Sequence, residues 1–143
     1  MNDYIEINGL QWDKENLIVA GIEHFNHAQA EIAAKASGKR LPTKEEWEAL
    51  ASLGSTWDEN LKGRWFGEDH QLKERSEKSI FLPASGYRDC GNAMLYTQGS
   101  YGYYWSGSIS STNACYLGFN SGSVYPDNIT NSGYGFVVRC VKN

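Results

Sequence analysis

Apolar residues are thinly spread along this chain, and their rhythm changes twice. Near the N-terminus they form short clusters: Tyr4, Ile5 and Ile7 before Asn8-Gly9, Leu10 and Trp12 before Asp13-Lys14-Glu15-Asn16, then Leu17-Ile18-Val19-Ala20 before Gly21. This pattern predicts short strands joined by turns, the third of the buried type. From Asn26 the spacing becomes helical. Ala28, Ile32, Ala33 and Ala36 share one face of a helix that Asn26 caps with Gln29, and Gly38 ends it. A second helix starts at Thr43, where Thr43 and Glu46 form a capping box and Leu41 staples onto Trp47. Its stripe is Trp47, Leu50, Ala51 and Leu53, ended by Gly54, with one further helical turn read across 56–61.

After Gly63 the pattern turns to strands and loops rich in aromatics. Strands are predicted at 64–67, 80–83, 103–105, 114–119, 123–125 and 134–141. Residues 68–79 read as a charged connection, and 86–88 with 92–100 as a loop. The stretches 108–112 and 127–132 lack apolar periodicity and read as exposed loops. Helices early and strands late make an α+β chain. The 143 residues fit one domain, with no internal repeat and no linker.

Charge and chemistry narrow the function classes. The net charge is −4, and no Lys/Arg cluster is long enough to follow a phosphate backbone, which excludes nucleic acid as the expected partner. No apolar run reaches bilayer length, so membrane insertion is not expected. Met1 to Glu6 lack the basic and apolar regions of a secretory signal, so synthesis in a cytoplasm is expected, with action on a virion or cell surface within a larger assembly. Cys90, Cys115 and Cys140 are widely spaced and read as free thiols in or near the core, with a single disulfide left open. His24 and His27 lack a third ligand at useful spacing and read as helix-start residues near water. Tyr125-Pro126-Asp127-Asn128 offers one carboxylate, thin for calcium. No metal and no other cofactor is expected.

The segment from Ser106 to Val141 contains no Lys, Glu, Gln, Met or Trp. Ser, Gly, Asn, Thr and Tyr fill it, the residues of adaptable binding surfaces. Alternation turns Leu117, Phe119 and Val124 inward, with Phe136 and Val138 in the core. The outward set is Tyr116, Gly118, Asn120, Ser123 and Tyr125. The loops add Ile109, Ser111, Asp127, Asn128, Thr130 and Ser132, and Tyr134 sits near the rim. These twelve form the candidate ligand-binding set. Tyr104 and Trp105 read as frame, and Arg88 and Arg139 as loop holders.

Several blocks resemble one family. Arg40-Leu41-Pro42-Thr43-Lys44-Glu45-Glu46-Trp47, Phe81-Leu82-Pro83-Ala84-Ser85-Gly86-Tyr87-Arg88, Gly102-Tyr103-Tyr104-Trp105-Ser106 and Gly135-Phe136-Val137-Val138-Arg139-Cys140-Val141 are similar to motifs of the formylglycine-generating-enzyme (sulfatase-modifying-factor)-like branch of the C-type lectin fold. In particular the blocks look like the Fibrobacter succinogenes major paralogous domain, which appears among the variable proteins of diversity-generating retroelements. The resemblance implies two helices on a twisted antiparallel sheet with the chain ends together. It also implies a mechanism for the compositional gap. Ligand-contacting positions in such variable proteins are encoded by Asn codons whose adenines are randomised, which cannot yield Lys, Glu, Gln, Met or Trp. The implied function is recognition of a macromolecular ligand, protein or glycan, on a cell or phage surface, with a variable segment at about 106–136. A non-diversified phage or bacterial adhesion or structural domain is the alternative. The related enzymes oxidise a peptidyl cysteine with a cysteine pair, which Cys115 and Cys140 invite. Neither lies in the enzymes' motif and no His follows residue 71, so a non-enzyme is expected.

Overall fold

The computed structural model describes residues 3–72, 77–110 and 113–143. Strands β1 (Tyr4–Ile7) and β2 (Leu10–Asp13) form the first hairpin. Asn8 and Gly9 both take positive φ, 55° and 76°, as a tight two-residue turn requires. The third predicted strand does not form. The Leu17 N–H donates to the Val138 carbonyl, and beyond it the chain leaves the core, with only a Val19–Ile22 bridge. Ile18 and Ile22 are 61% and 55% exposed, because no sheet edge lies beside them to bury a strand.

Helix α1 (His27–Ala36) carries the expected capping box at Asn26 and Gln29. Its buried face is different from the predicted one: His27, Ala30 and Ala34 point inward, and Ile32 is 69% exposed. His27 sets that rotation. Its Nε2 bonds the Ser106 carbonyl at 2.7 Å and its ring meets Trp105 edge-on at 5.2 Å. His24 Nε2 likewise bonds the Ser85 carbonyl at 3.0 Å. Both histidines are buried rather than near water, and both have a ring nitrogen committed to backbone.

Helix α2 (Lys44–Ser52) starts on the predicted Thr43/Glu46 box. Arg40 strengthens it by donating two bonds to the Glu46 carboxylate, at 2.7 and 2.8 Å. The predicted extra turn is instead strand β3 (Ser55–Asp58). It pairs with β4 (Gly63–Gly67), which pairs in turn with β5 (Ser79–Pro83). A neighbouring strand lets Thr56 and Trp57 express their preference for β structure. The predicted loop at 86–100 contains the small pair β6 (Tyr87–Arg88) and β7 (Leu95–Tyr96).

Strands β8 (Gly102–Ser110), β9 (Asn113–Phe119) and β10 (Val124–Asn131) form the central sheet, with β9 in the middle. The predicted exposed loop at 127–132 therefore belongs largely to an edge strand, and most of the 108–112 loop belongs to β8. Apolar periodicity failed to mark these stretches because one side of each faces outward. The stretch 134–141 makes isolated bridges at Gly135, Phe136 and Val137 before β11 (Val141–Lys142) joins β2.

The architecture is mainly β, which corrects the α+β C-type-lectin class expected from the sequence. Among the described residues, small antiparallel sheets hold 43% against 14% in two helices. The miscount arose from short strands read as loops or helix, since two- to four-residue strands are fixed by their partners and carry little periodic signal of their own.

The central sheet divides two apolar clusters. On one face, Tyr104, Leu117 and Phe119 pack with Trp47 and Leu50 of α2, Trp12 of β2 and Phe66 of β4. On the other, Trp105 and Ala114 pack with Ala30 and Ala34 of α1, Phe136 and Val138. Arg139 ties the ends of the chain to the middle. Its guanidinium is buried and donates to Asn16 Oδ1 at 2.8 and 3.0 Å, to the Asp13 carbonyl at 3.1 Å and to the Phe81 carbonyl at 2.8 Å. Arg88 donates to the Ala93 carbonyl, so both arginines hold loops.

Candidate functional site

Antiparallel partners point the same way, so the register of the central sheet sorts its residues by face. One row runs Tyr103–Gly118–Tyr125, the next Trp105–Tyr116–Asn128 and the third Ile109–Ala114–Thr130. A bulge between Tyr125 and Asn128 keeps the rows aligned by absorbing one extra residue of β10. Ile109, Tyr116, Gly118, Tyr125, Asn128 and Thr130, six of the twelve candidates, thus share one face. Asp127 lies in the bulge and is exposed.

The inner half of this face is roofed by α1. The outer half is an open bowl of about 160 Å³, lined by Tyr87, Tyr103, Tyr116, Thr130, Tyr134 and Phe136. Phe136 is the floor, only 3% exposed, with Trp105 beneath it at 4.3 Å between ring centroids. Tyr103 and Tyr134 lie nearly parallel to Phe136, at 25° and 17°. Tyr116 tilts against it at 63°, and Tyr87 stands at 82°. Offset and edge-on pairs of this kind are the favoured aromatic geometries, so the rings hold one another in place.

The bowl is polar only at its hydroxyls. Burial pushes the Tyr103 and Tyr116 phenols above the ordinary range, and the neighbouring Cys90 thiol, then burial, does the same for Tyr134. All three stay protonated at neutral pH. The Tyr116 hydroxyl accepts from Asn128 Nδ2 at 3.4 Å. No charged side chain lines the bowl.

The remaining candidates do other work. Asn120 Oδ1 accepts from the N–H groups of Gly122 and Ser123 at 2.8 and 2.9 Å, so it builds the β9–β10 turn. Ser123 is half-buried in that turn. Ser132 is half-buried, and its carbonyl accepts from His27 N–H. Gly118 faces the right way but is buried; a Cβ there would sit 3.1 Å from the Tyr116 ring. Ser111 falls outside the described residues. Tyr87 and Tyr103 were missed. The alternation Tyr103-Tyr104-Trp105 could have placed Tyr103 on the same side as Trp105. Nothing in the sequence brings Tyr87 there.

The cysteines are free, with Cys90 exposed and the other two buried. Burial pushes the Cys140 thiol up to about 11 and raises Cys115 as well, the reverse of the depressed pKa that makes a thiol nucleophilic. Among the described residues no three His, Cys, Asp or Glu side chains gather to hold a metal, and no helix is long and apolar enough to cross a membrane.

Fold and site together define a small, mainly-β domain with an open tyrosine face. The chain belongs to the family described as Domain of unknown function (DUF8237), whose model matches residues 55–141, from β3 into β11. No curated protein and no solved structure matches the chain.

Proposed function

We propose that this protein recognises a macromolecular ligand, protein or glycan, through the tyrosine face, as the variable protein of a diversity-generating retroelement acting on a virion or cell surface. One observation supports the reading. Within the segment free of Lys, Glu, Gln, Met and Trp, six of the twelve candidate positions share one face of the central sheet, over a core held by other residues. Tyr supplies broad contact area at low rotamer cost, and Asn, Thr and Ser adapt around it. Ile109, Tyr125 and Asp127 extend the exposed surface beyond the bowl.

The test is a library. Ile109, Tyr116, Tyr125, Asn128 and Thr130 are varied among the residues reachable from Asn codons and selected against protein and glycan panels. Different members should bind different targets while keeping a cooperative melting transition. Binding changes that appear only in unfolded members would overturn the reading. So would neighbouring DNA that lacks both a reverse transcriptase gene and an adenine-substituted repeat of the segment.

A further inference from the structure

Resting on the reading of this face as a ligand site, we propose that the bowl takes a quaternary ammonium group of the choline type. Size comes first. At about 160 Å³ the bowl is well below the roughly 300 Å³ at which drug-sized pockets begin, so it fits a head group and not a whole ligand. Shape comes second. Tyr103 and Tyr134 each stack on Phe136, at 25° and 17°, and form a stepped platform with it, while Tyr87 stands at 79° to Tyr103 and 82° to Tyr134. A platform meeting an upright ring makes a corner. A flat sugar ring uses only the platform, whereas a near-spherical trimethylammonium group touches both.

Polarity then separates the cations. The lining offers only Thr130 and phenolic hydroxyls, and the Tyr116 hydroxyl is already bonded to Asn128. A primary ammonium or guanidinium carries three to five N–H donors, more than these few neutral hydroxyls pair. A quaternary ammonium has no N–H to satisfy, and aromatic faces attract its charge. The charge around the site agrees. No cation lines the bowl, and the chain carries −4 overall.

Titration of the full chain with choline chloride, followed by NMR of the tyrosine rings, tests this. Choline should bind saturably, about tenfold more tightly than its neutral isostere 3,3-dimethylbutanol and more tightly than methyl glucoside. Tyr87→Leu and Tyr116→Leu should each weaken binding about tenfold, Tyr116→Phe should retain it, and Ile32→Ser, on the exposed side of α1, should leave it unchanged, with near-UV circular dichroism reporting the fold of each. Equal affinity for the neutral isostere, tighter binding of the glucoside, or no saturable shift with choline would overturn the proposal. If choline fails while library-selected targets still depend on Tyr116, the choline assignment falls and the recognition function stands. If neither binds, both fall.

Discussion

Leu117 and Tyr116 are adjacent in sequence and face opposite environments. Leu117 is sealed between Tyr104, Phe119 and α2. Tyr116 leans half-buried against Phe136, with its hydroxyl at the rim. The same three strands therefore present a packed face and an adaptable one. Strand alternation makes this division possible, because successive side chains leave the backbone on opposite sides. What differs is the covering layer: α2 and the N-terminal hairpin close one side completely, while α1 and Phe136 close only half of the other.

Truncation on the packed face should have the largest effect. Phe119 sits under Gly102, where a Cβ would come within 2.2 Å of its ring, and contacts Phe66 and Tyr104 at 5.7 and 6.1 Å. Phe119→Ala should cost about 3–5 kcal/mol in urea unfolding, and Leu117→Ala about 2–5 kcal/mol. A loss below about 1 kcal/mol would show that this face is not the rigid one.

Asn16→Ala comes next. It removes the acceptor of two Arg139 bonds and a donor to the Tyr104 hydroxyl at 3.0 Å. The guanidinium has burial working against its charge, and its remaining partners are neutral carbonyls. The expected loss is about 2–3 kcal/mol by chemical denaturation.

Tyr134→Ser on the open face should cost less than about 1 kcal/mol in the same assay, because the rim ring has solvent on one side. It should nevertheless weaken ligand binding. If it destabilises the protein as much as Leu117→Ala, the division between the faces fails.

The smallest effect is a pH dependence confined to the packed side. Arg40 bonding holds the Glu46 carboxyl below its ordinary value. A depressed folded pKa means that the unfolded chain binds the proton first. The stabilisation is therefore present above about pH 4.3 and is lost as pH falls through the lower folded value. Urea midpoints of Glu46→Gln against the parent should converge as pH drops through that window. Midpoints that keep a constant gap from pH 7 to 2 would remove Glu46 from the account.

Some of this was legible in the sequence. Both capping boxes appear where Asn26/Gln29 and Thr43/Glu46 place them, since a cap is satisfied within four residues. The alternation of Leu117 and Phe119 also located the packed side correctly. Ile32 and Ile18 misled, because apolarity does not say whether a partner exists. Asn120 misled differently: its side chain looks like a ligand donor, yet it is used up by its own turn.

The chain by itself determined the local features: where helices begin, which strand residues alternate, and which segment lacks Lys, Glu, Gln, Met and Trp. Each depends on neighbours a few residues away. Only the tertiary structure decided that 124–131 is an edge strand, that the class is mainly β, and that Tyr87 joins Tyr103, Tyr116 and Tyr134 around Phe136. Those outcomes rest on pairings between residues far apart in sequence, such as the bridge from Arg88 to Gly135, and their energy comes from surfaces that meet only after the chain has folded.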